Sequence, residues 1–322
     1  MNILVTGGAG YIGSVVVENL IAKGYSVIVI DDLRDGKRSA VPQDTVFFKN
    51  DFGDEDVLEK IFHNYEIYTV MHFAASANVP LSVKMPSEFY HNNVIGSINL
   101  LNKMVKHNIK NIIFSSTAAV YGEPCYIPID EIHPLNPINP YGNSKLMVEN
   151  ILADFAKAYG LKYVALRYFC AAGATEQNGE SRKSKETHLI PLVVDKIIVP
   201  EKELFVFGND YATRDGSGIR DYVHVRDIAA AHIAALESID KRSNSVYNIG
   251  TNSGYSVLEV IKEAESIFKT CIEYSLSDRR HGDPANLTST FDKINNELGW
   301  EPENSLRQMI VSTMNWRKNP KY

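Results

Sequence analysis

A tyrosine and a lysine in the stretch PYGNSK, residues 140–145, could together move a proton. Because Tyr141 and Lys145 stand four residues apart, a helix would place both side chains on one face. A lysine ammonium beside a tyrosine hydroxyl favours the phenolate and lowers the pKa of a tyrosine from about 10. Such a tyrosine can take a proton from a sugar hydroxyl while a hydride leaves the same carbon. The same spacing occurs by chance on exposed helices, so the surrounding sequence must decide between the two interpretations.

Hydroxyl side chains end the predicted strand Asn111–Ser116 and could complete such a site. Thr117 precedes Tyr141 by 24 residues and could hydrogen-bond a substrate oxygen alongside the tyrosine. A hydroxyl at the end of a strand often bonds its own backbone instead. Together with the tyrosine–lysine pair, the position of Thr117 favours a catalytic role.

A glycine-rich turn near the start of the chain predicts a dinucleotide site. Gly7, Gly10 and Gly13 keep a Gly-x-x-Gly-x-x-Gly spacing between the predicted strand Asn2–Thr6 and an apolar, periodic helix. Glycine permits the tight turn and lets backbone N–H groups approach a pyrophosphate at the helix N-terminus. A lone glycine cluster is often an ordinary turn, but its place between a strand and a helix favours the nucleotide interpretation.

An acidic pair after the second predicted strand favours NAD over NADP. This strand, Tyr25–Ile30, ends at Asp31 and Asp32, and Asp31 lies 18 residues beyond Gly13. A carboxylate near this spacing accepts a hydrogen bond from the 2′-hydroxyl of the adenosine ribose and repels a 2′-phosphate. The alternative is a solvated acid in a turn. Three cations that follow weaken the prediction of NAD, namely Arg34, Lys37 and Arg38.

The spacing of strands and helices indicates an α/β fold. Further strands are predicted at Val46–Asn50, Tyr68–Phe73 and Tyr163–Arg167, and helices at Pro86–His107 and Tyr141–Tyr159. Elements that alternate in this way form a Rossmann-like, doubly wound parallel sheet with ligands at the carboxyl ends of the strands. At those ends we expect residues that line a cofactor site, namely Asp51, Phe52, Ala74, Ala75 and Ser115.

Beyond Arg167 the regular alternation weakens, which predicts a smaller C-terminal α+β substrate lobe. Its predicted elements are the helices Leu189–Pro200, Val225–Glu237 and Val257–Phe268 and the strands Leu204–Phe207 and Val246–Ile249. We therefore divide the chain into a cofactor domain, residues 1–168, and a smaller substrate lobe, residues 169–322, from which some segments could return to the first domain.

The bulk composition restricts the partners and the compartment. A net charge of −6 without a long basic run argues against nucleic acid and anionic membranes as partners. Three cysteines suggest a reducing compartment, and the scattered histidines offer no zinc spacing, so no metal is expected. The N-terminus lacks a signal-peptide pattern, and no apolar stretch is long enough to span a membrane. We expect a cytoplasmic protein.

The order of these features resembles the extended short-chain dehydrogenase/reductase family and, within it, the UDP-glucose 4-epimerase family. The similarity extends over nearly the whole chain. It is carried by the segments VTGGAGYIGS, HFAA, NNVIGSINLL, FSSTAAVYG, PYGNSKLMVE, LRYF, ETHLIP, FGNDYATRDGSGIRDYVHV and YNIGTNSGYS.

The resemblance implies a tightly held NAD and a reaction without net redox change. Tyr141 would deprotonate the 4-hydroxyl of the sugar while its hydride passes to the nicotinamide. The 4-keto sugar would then turn over and take the hydride back on its opposite face. Lys145 would also bond the nicotinamide ribose. The positions that match cofactor contacts of the family are Tyr11, Ile12, Asp31, Asp51, Phe52, Phe73, Asn92 and Phe169.

The resemblance also implies how a nucleotide sugar is held. Arg220 and Arg280 would bind the diphosphate, as guanidinium groups do well. Phe207 would lie by the uracil, Asp283 would bond the uridine ribose, and Leu287 would limit the size of the sugar. The other expected substrate contacts are Thr117, Cys170, His188, Leu189 and Tyr222. A homodimer is expected, with the helices near Pro86–His107 and Tyr141–Tyr159 pairing across its interface.

Three departures from the family pattern bear on these expectations. Cys170 replaces the usual asparagine, and a thiol is a weak donor, so one contact to the UDP group could be lost. The loop Thr175–Lys185 lacks the usual acidic Gly-Glu-Asp, and Ala77 stands where some members carry a lysine near the cofactor. Leu287 is bulkier than cysteine or serine, which disfavours N-acetylated sugars.

Other functions fit parts of the same pattern. Sugar-nucleotide dehydratases and decarboxylases need an acid beside the threonine, and here Ala118 and Ala119 follow Thr117. An NAD-sensing binder could dispense with Tyr141 and Lys145, so their presence favours an enzyme. A 4-epimerase for an N-acetylated or pentose UDP-sugar would use the same chemistry.

Overall fold

The computed structural model describes residues 1–181, 186–280 and 283–322. In chain order, the strands of these residues are β1 (Asn2–Thr6), β2 (Ser26–Ile30), β3 (Val46–Phe48), β4 (Ile67–His72), β5 (Asn111–Thr117), β6 (Lys162–Tyr168), β7 (Cys170–Ala172), β8 (Phe205–Phe207), β9 (Ile219–Arg220), β10 (Tyr222–His224), β11 (Ser245–Ile249), β12 (Tyr255–Ser256), β13 (Ser275–Ser277) and β14 (Asn286–Leu287). The α-helices are α1 (Tyr11–Ala22), α2 (Glu55–Asn64), α3 (Val79–Lys84), α4 (Pro86–Tyr90), α5 (Gly96–Lys106), α6 (Pro140–Tyr159), α7 (Leu189–Ile198), α8 (Val225–Ser238), α9 (Val257–Phe268), α10 (Asp292–Leu298) and α11 (Leu306–Lys318).

The predicted doubly wound sheet is confirmed. Seven parallel strands lie in the order β11-β6-β5-β4-β1-β2-β3. Helices cover both faces of the sheet. Successive side chains of a strand point to opposite sides, so each strand packs against both helical layers. In β1, Ile3 and Val5 pack with α1 and α8, whereas Leu4 packs on the other side with α2, α5 and α6. Strands buried on both faces explain the apolar runs that mark β1 and β2 in the sequence.

Two elements that the sequence analysis assigned to the lobe, β11 and α8, belong to the cofactor domain. Strand β11 pairs with β6 in parallel, from Ser245 beside Val164 to Ile249 beside Tyr168. Helix α8 packs against α1. A short apolar strand after a helix fits either domain, so only the pairing with β6 decides the placement.

The remaining elements form the smaller lobe. Helices α7, α9 and α11 enclose an apolar core that includes Val193, Ile261 and Ile310. Its sheets are short: β7 pairs with β10, β8 with β13, and β9 lies between β12 and β14. Since β7 begins two residues after β6 ends, the chain passes directly from the central sheet into the lobe.

The predicted helix Pro86–His107 contains an irregular turn. A five-residue π-helical turn, His91–Ile95, separates α4 from α5. Asn93 is buried there and its amide bonds the backbone of Ser76 and the hydroxyl of Ser144. Turns of this kind frequently lie at functional sites, and this one attaches α4 and α5 to α6.

The ends of α6 follow from its capping residues. Asn139 accepts a hydrogen bond from the Gly142 N–H at 2.8 Å, and Pro140 occupies the first helical position. Both residue types are typical of a helix start. Gly160 ends the helix with φ 68°, a left-handed conformation that glycine adopts without a steric cost. In the described part of the chain, no helix is both long and apolar enough to cross a membrane.

Three buried histidines predict that the fold loses stability in mild acid. Burial lowers the pKa of His72 to about 3 and those of His224 and His232 to about 4. These rings stay neutral in the folded chain, but the unfolded chain protonates them below about pH 6.5. Their contribution to stability is therefore present above pH 6.5 and is lost as the pH falls toward 4, by about 1.4 kcal/mol per pH unit for each ring.

Urea denaturation between pH 7 and pH 4 measures this loss as a falling unfolding midpoint. The exposed His63 supplies the control, because His63→Gln should leave the pH dependence unchanged. A midpoint that stays constant from pH 6.5 to pH 4.5 would contradict the prediction.

Candidate active site

One cavity contains both the glycine-rich turn and the tyrosine–lysine pair. It lies at the carboxyl ends of the central strands and has a volume of about 300 Å³. The predicted site residues that line it are Gly7, Gly10, Tyr11, Ile12, Gly13, Phe73, Ala75, Ser115, Tyr141 and Lys145. The fold therefore brings together residues that are up to 138 positions apart in the sequence.

A second cavity continues from the glycine turn toward the end of β2. Gly7, Gly10, Phe73 and Ala75 line both cavities. The further predicted residues of the second cavity are Asp31, Asp32, Phe52, Ala74 and Asn92. Asp51 lines an adjoining groove together with Asn92 and Arg34. The two cavities thus form an elongated site of the kind that a dinucleotide requires.

Close packing explains why the turn needs glycine. Gly7 has φ +70°, and a Cβ atom there would lie 2.6 Å from the backbone nitrogen of Ala74. A Cβ atom at Gly13 would lie 2.2 Å from the carbonyl oxygen of Gly7. Gly10 precedes the first residue of α1 without a capping side chain, so the helix N-terminus can direct its backbone N–H groups at an anion.

Asp31 supports the turn as well as the cavity. Its side chain is 8% exposed, and it accepts hydrogen bonds from the N–H groups of Ala9 at 2.9 Å and Leu33 at 2.8 Å. Asp31 is therefore a buried acid bonded to the glycine-rich turn, and not a solvated one. Because Asp31 also lines the second cavity, its carboxylate is placed where it can accept a hydrogen bond from a ribose hydroxyl.

Lys145 is buried, four residues beyond Tyr141 on α6. Its side chain is 3% exposed, and the ammonium donates a hydrogen bond to the Ser115 carbonyl at 2.8 Å. The ammonium also lies 4.7 Å from the centroid of the Phe114 ring. Burial lowers the pKa of Lys145 to about 7, and the negative charge of Glu149 opposes this shift. An anion formed at Tyr141 would favour the charged lysine in the same way.

A buried ion pair lies behind this lysine. The guanidinium of Arg167 on β6 binds both carboxylate oxygens of Glu149 on α6, at 3.0 and 2.6 Å. Glu149 also accepts a hydrogen bond from the Ser116 hydroxyl, and Arg167 donates to the Tyr121 hydroxyl at 2.9 Å. These bonds fix α6 against the ends of β5 and β6, and so they fix the positions of the residues beside Ser116.

Three predicted site residues lie outside the cavities described here. The hydroxyl oxygen of Thr117 accepts a hydrogen bond from the Ala119 N–H at 3.2 Å, which is the local bond considered in the sequence analysis. Its proton remains able to be donated elsewhere. Phe169 stacks near Tyr121, with ring centroids 6.4 Å apart, and Leu287 packs on the apolar cluster around Tyr121.

A third cavity in the lobe collects most of the predicted substrate residues. They are Cys170, His188, Leu189, Phe207, Arg220, Tyr222, Arg280 and Asp283. Arg220 donates hydrogen bonds to the Ile219 and Pro284 carbonyls, both at 2.8 Å, and lies 3.8 Å from Asp283. The guanidinium of Arg280 lies 3.9 Å from the centroid of the Phe207 ring. Two cations and an aromatic ring therefore share one cavity.

Burial raises the pKa values of the two weakly acidic groups of this cavity. It raises the pKa of the Cys170 thiol to about 11 and the pKa of the Tyr222 hydroxyl well above its usual range. Both groups are therefore neutral at physiological pH. Cys170 can fill space and make a weak hydrogen bond, but it is not a thiolate nucleophile.

His188 belongs to a cluster of charged groups at the rim of this cavity. Its Nδ1 lies 2.8 Å from Glu180 and 3.4 Å from Glu186, and Arg317 pairs with Glu186 at 2.6 Å. Although burial alone would raise the pKa of Glu186, hydrogen bonds from His188 and the nearby cations lower it to about 2. The two carboxylates thus contact the His188 ring, and Glu186 also forms an ion pair with Arg317. Residues 182–185, part of the loop that departs from the family pattern, lie outside the described residues.

Sequence reasoning missed some residues that line the first cavity. Tyr168, Ser181 and Tyr322 line it although no motif marks them as ligands. The Tyr168 hydroxyl lies 2.7 Å from Nε2 of the buried His232 on α8. The position of Tyr168 next to Phe169 in the LRYF segment was the one available signal.

Comparison with known proteins gives a consistent result. The sequence profile described as the NAD dependent epimerase/dehydratase family matches residues 3–250. A UDP-glucose 4-epimerase of Halalkalibacterium halodurans is 47% identical over 322 residues, covering 99% of this chain and 96% of that protein. The corresponding enzyme of Lactobacillus helveticus is 45% identical, covering 99% of this chain and 98% of that protein.

Solved structures agree with the sequence relatives. UDP-glucose 4-epimerase from Bifidobacterium longum, in complex with NAD+ and UDP, superposes with a TM-score of 0.94 at 40% identity, covering 100% of this chain and 99% of that one. The enzyme from Stenotrophomonas maltophila, with bound NAD and formylated UDP-arabinopyranose, superposes with a TM-score of 0.93 at 36% identity. The match covers 99% of this chain and 98% of that one. The chain therefore belongs to the NAD dependent epimerase/dehydratase family.

Proposed function

We propose that this chain is an NAD-dependent UDP-hexose 4-epimerase that interconverts UDP-galactose and UDP-glucose. The observation that carries the proposal is the single cavity in which Tyr141 and Lys145 lie together with the glycine-rich turn at the start of α1. The two relatives and the Bifidobacterium longum structure named above, each of which matches 99% or more of this chain, are UDP-glucose 4-epimerases, which supports the same reaction.

The residues of the two connected cavities fit NAD. The turn Gly7–Gly13 offers backbone N–H groups to a pyrophosphate. Asp31 at the end of β2 would accept a hydrogen bond from the adenosine 2′-hydroxyl, and its charge would repel the additional phosphate of NADP. When bound, NAD accepts a hydride from the sugar and later returns it. All other steps depend on side chains of this chain.

Tyr141 acts as the base in this proposal. It takes the proton of the sugar 4-hydroxyl as the 4-keto sugar forms, and it returns a proton when the hydroxyl is restored. Lys145 supplies the positive charge that favours the tyrosine phenolate, while Ser115 holds the lysine by its carbonyl group. Thr117, whose oxygen already accepts from Ala119, donates its hydroxyl proton to a substrate oxygen.

The lobe holds the nucleotide part of the substrate. Arg220 and Arg280 bind the diphosphate, Phe207 contacts the uracil and Asp283 bonds the ribose. Strand β6 ends at Tyr168 in the cofactor cavity and β7 begins at Cys170 in the lobe cavity. A sugar between the two cavities can therefore reach Tyr141 while its diphosphate stays bound. This assignment keeps the division at residue 168, with α8 and β11 returned to the cofactor domain.

The chain also suggests which reactions and sugars are disfavoured. Dehydration or decarboxylation needs an acid beside the threonine, but Ala118 and Ala119 form a short 3-10 turn there and cannot transfer a proton. Leu287, packed against the cluster around Tyr121, is proposed to disfavour N-acetylated sugars by its size.

We also propose that the protein is a homodimer. Helix α6 exposes Met147, which is 45% accessible, and Ile95 directly before α5 is 47% accessible. Apolar side chains on neighbouring exposed helices are typical of an interface between subunits.

The proposed reaction predicts conversion of UDP-galactose to UDP-glucose without added NAD. In Tyr141→Phe we expect turnover to fall by about a hundredfold or more, because the general base is lost, while NAD and UDP remain bound. Capillary electrophoresis of the nucleotide sugars measures the conversion. A 4-keto-6-deoxy product would indicate a dehydratase, absence of reaction would leave an NAD-binding protein, and full activity of Tyr141→Phe would remove the base assignment.

The proposed ribose contact predicts a change of cofactor selectivity. In Asp31→Ala the affinity for NAD should fall about tenfold or more, because a charge-assisted hydrogen bond is lost, and the preference for NAD over NADP should shrink. Fluorescence titration with both dinucleotides measures this. The control is Asp44→Ala, which removes an exposed acid of the same region. Unchanged NAD binding in Asp31→Ala would show that Asp31 is not the ribose ligand.

The proposed dimer predicts a particle of twice the chain mass of 36.0 kDa. The double substitution Ile95→Glu with Met147→Glu should convert it to a monomer, because it would bury four like charges in the interface. Sedimentation equilibrium distinguishes the two states. A wild-type protein that stays monomeric at high concentration would refute the proposal.

A further inference from the structure

Lys37 places a positive charge at the mouth of the cofactor cavity. Its side chain lines this cavity together with Gly10, Tyr11 and Ile12 of the glycine-rich turn. Its backbone N–H donates a hydrogen bond to the Ala9 carbonyl at 3.1 Å, so the lysine is attached to the turn itself. In the sequence, Lys37 is one of three cations that weaken the prediction of NAD.

Lys37 differs from the other cations of the cavity in its partners. Arg34 pairs with Asp32 at 3.0 Å and Asp51 at 3.8 Å, and Lys145 is committed to Ser115 beside Tyr141. For Lys37, no carboxylate among the described residues lies within ion-pair distance, although Asp35 lines the same cavity. Its charge is therefore available to a ligand.

Contacts from the lobe hold this side chain in place. The Lys37 ammonium donates a hydrogen bond to the Ser181 hydroxyl at 2.7 Å and lies 5.6 Å from the centroid of the Tyr322 ring. The Tyr322 ring packs edge-on against Trp316 at 4.9 Å, and its hydroxyl bonds the amide oxygen of Asn178 at 3.1 Å. A lysine held at both ends loses little freedom when it binds an anion.

The negative charge of a pyrophosphate requires a positively charged side chain such as Lys37. The N-terminus of α1 offers backbone donors and about half a positive charge, whereas a pyrophosphate diester carries two negative charges. Ala77, which also lines the cavity, contributes no charge. Among the described cations that line the cavity, Lys37 is bonded to the glycine-rich turn through its backbone N–H and has no acidic partner in the described part of the chain.

We infer that Lys37 is the cation that binds the pyrophosphate of the dinucleotide, and that Ser181 and Tyr322 hold it over the cavity so that the cofactor is released slowly. The inference rests on the cofactor part of the proposed function. It assigns cofactor retention to a bridge between the loop after β2 and the lobe, and not to the glycine-rich turn alone.

The test measures the release of bound NAD without any sugar nucleotide. The purified protein is mixed with excess etheno-NAD, a fluorescent analogue, and the exchange is followed at low and high salt. In Lys37→Met, which keeps the length of the side chain but not its charge, release should be about tenfold to a hundredfold faster. Salt should accelerate release from the wild type and have a much smaller effect in Lys37→Met, because screening acts on the charge contact.

Further variants separate the effect of the Lys37 charge from the effect of the residues that hold its side chain. Lys37→Arg should retain slow, salt-dependent release, whereas Ser181→Ala should give intermediate rates with the salt dependence intact. The control is Lys23→Met, which removes an exposed lysine that follows the opposite end of α1 and pairs with Glu237, and it should behave as the wild type.

Wild-type release rates in Lys37→Met, or equal salt dependence in the two proteins, would overturn the inference. A protein that retains NAD through Lys37 but does not convert UDP-galactose would leave this inference standing and refute only the proposed reaction. A protein that binds no NAD would overturn both.

Discussion

The arrangement of the site depends on one buried positive charge. Lys145 is removed from water, and burial lowers its pKa to about 7 from an ordinary value near 10.5, which corresponds to roughly 5 kcal/mol of disfavoured charge. A carbonyl oxygen and an aromatic ring partly compensate this cost. The compensation is incomplete, so the ammonium favours any anion that forms within reach. In the proposed reaction that anion is the phenolate of Tyr141, four residues before Lys145 on α6.

The buried pair Glu149–Arg167 explains why the compensation remains incomplete. Glu149 lies four residues beyond Lys145 on α6 and would by itself favour the charged lysine. Arg167 takes up both of its carboxylate oxygens, so most of the negative charge is neutralised. The same pair positions the end of β5, whose Ser115 carbonyl binds the lysine. A neutralised acid thus gives α6 a fixed place without removing the tendency of Lys145 to pair with a phenolate.

Local sequence signals predicted the parts of the site that are built from neighbouring residues. The turn after β1, the acid after β2 and the spacing of Tyr141 and Lys145 each lie within one strand–helix unit, so periodicity and spacing were sufficient. The place of β11 beside β6 and the contact of Tyr168 with His232 depend on residues 64 or more positions apart. No pattern within one segment determines such contacts. Thr117 shows a second limit of sequence analysis. A hydroxyl at the end of a strand is compatible both with a local bond to Ala119 and with a catalytic role, so the sequence cannot choose between them.

The arginines of the lobe show how a binding site differs from an ordinary charged surface. Arg279 pairs with Asp210 at 2.7 Å, and Arg214 pairs with Glu259, so an incoming diphosphate would have to break an ion pair to use either. Arg220 is held by two carbonyl groups and has only a long ion pair, with Asp283 at 3.8 Å, and Arg280 is held by the face of an aromatic ring. These contacts orient a guanidinium but leave its charge largely unneutralised. The adjacent Arg279 and Arg280 therefore have different contacts, an acidic partner for the first and an aromatic ring for the second, which their shared residue type could not reveal.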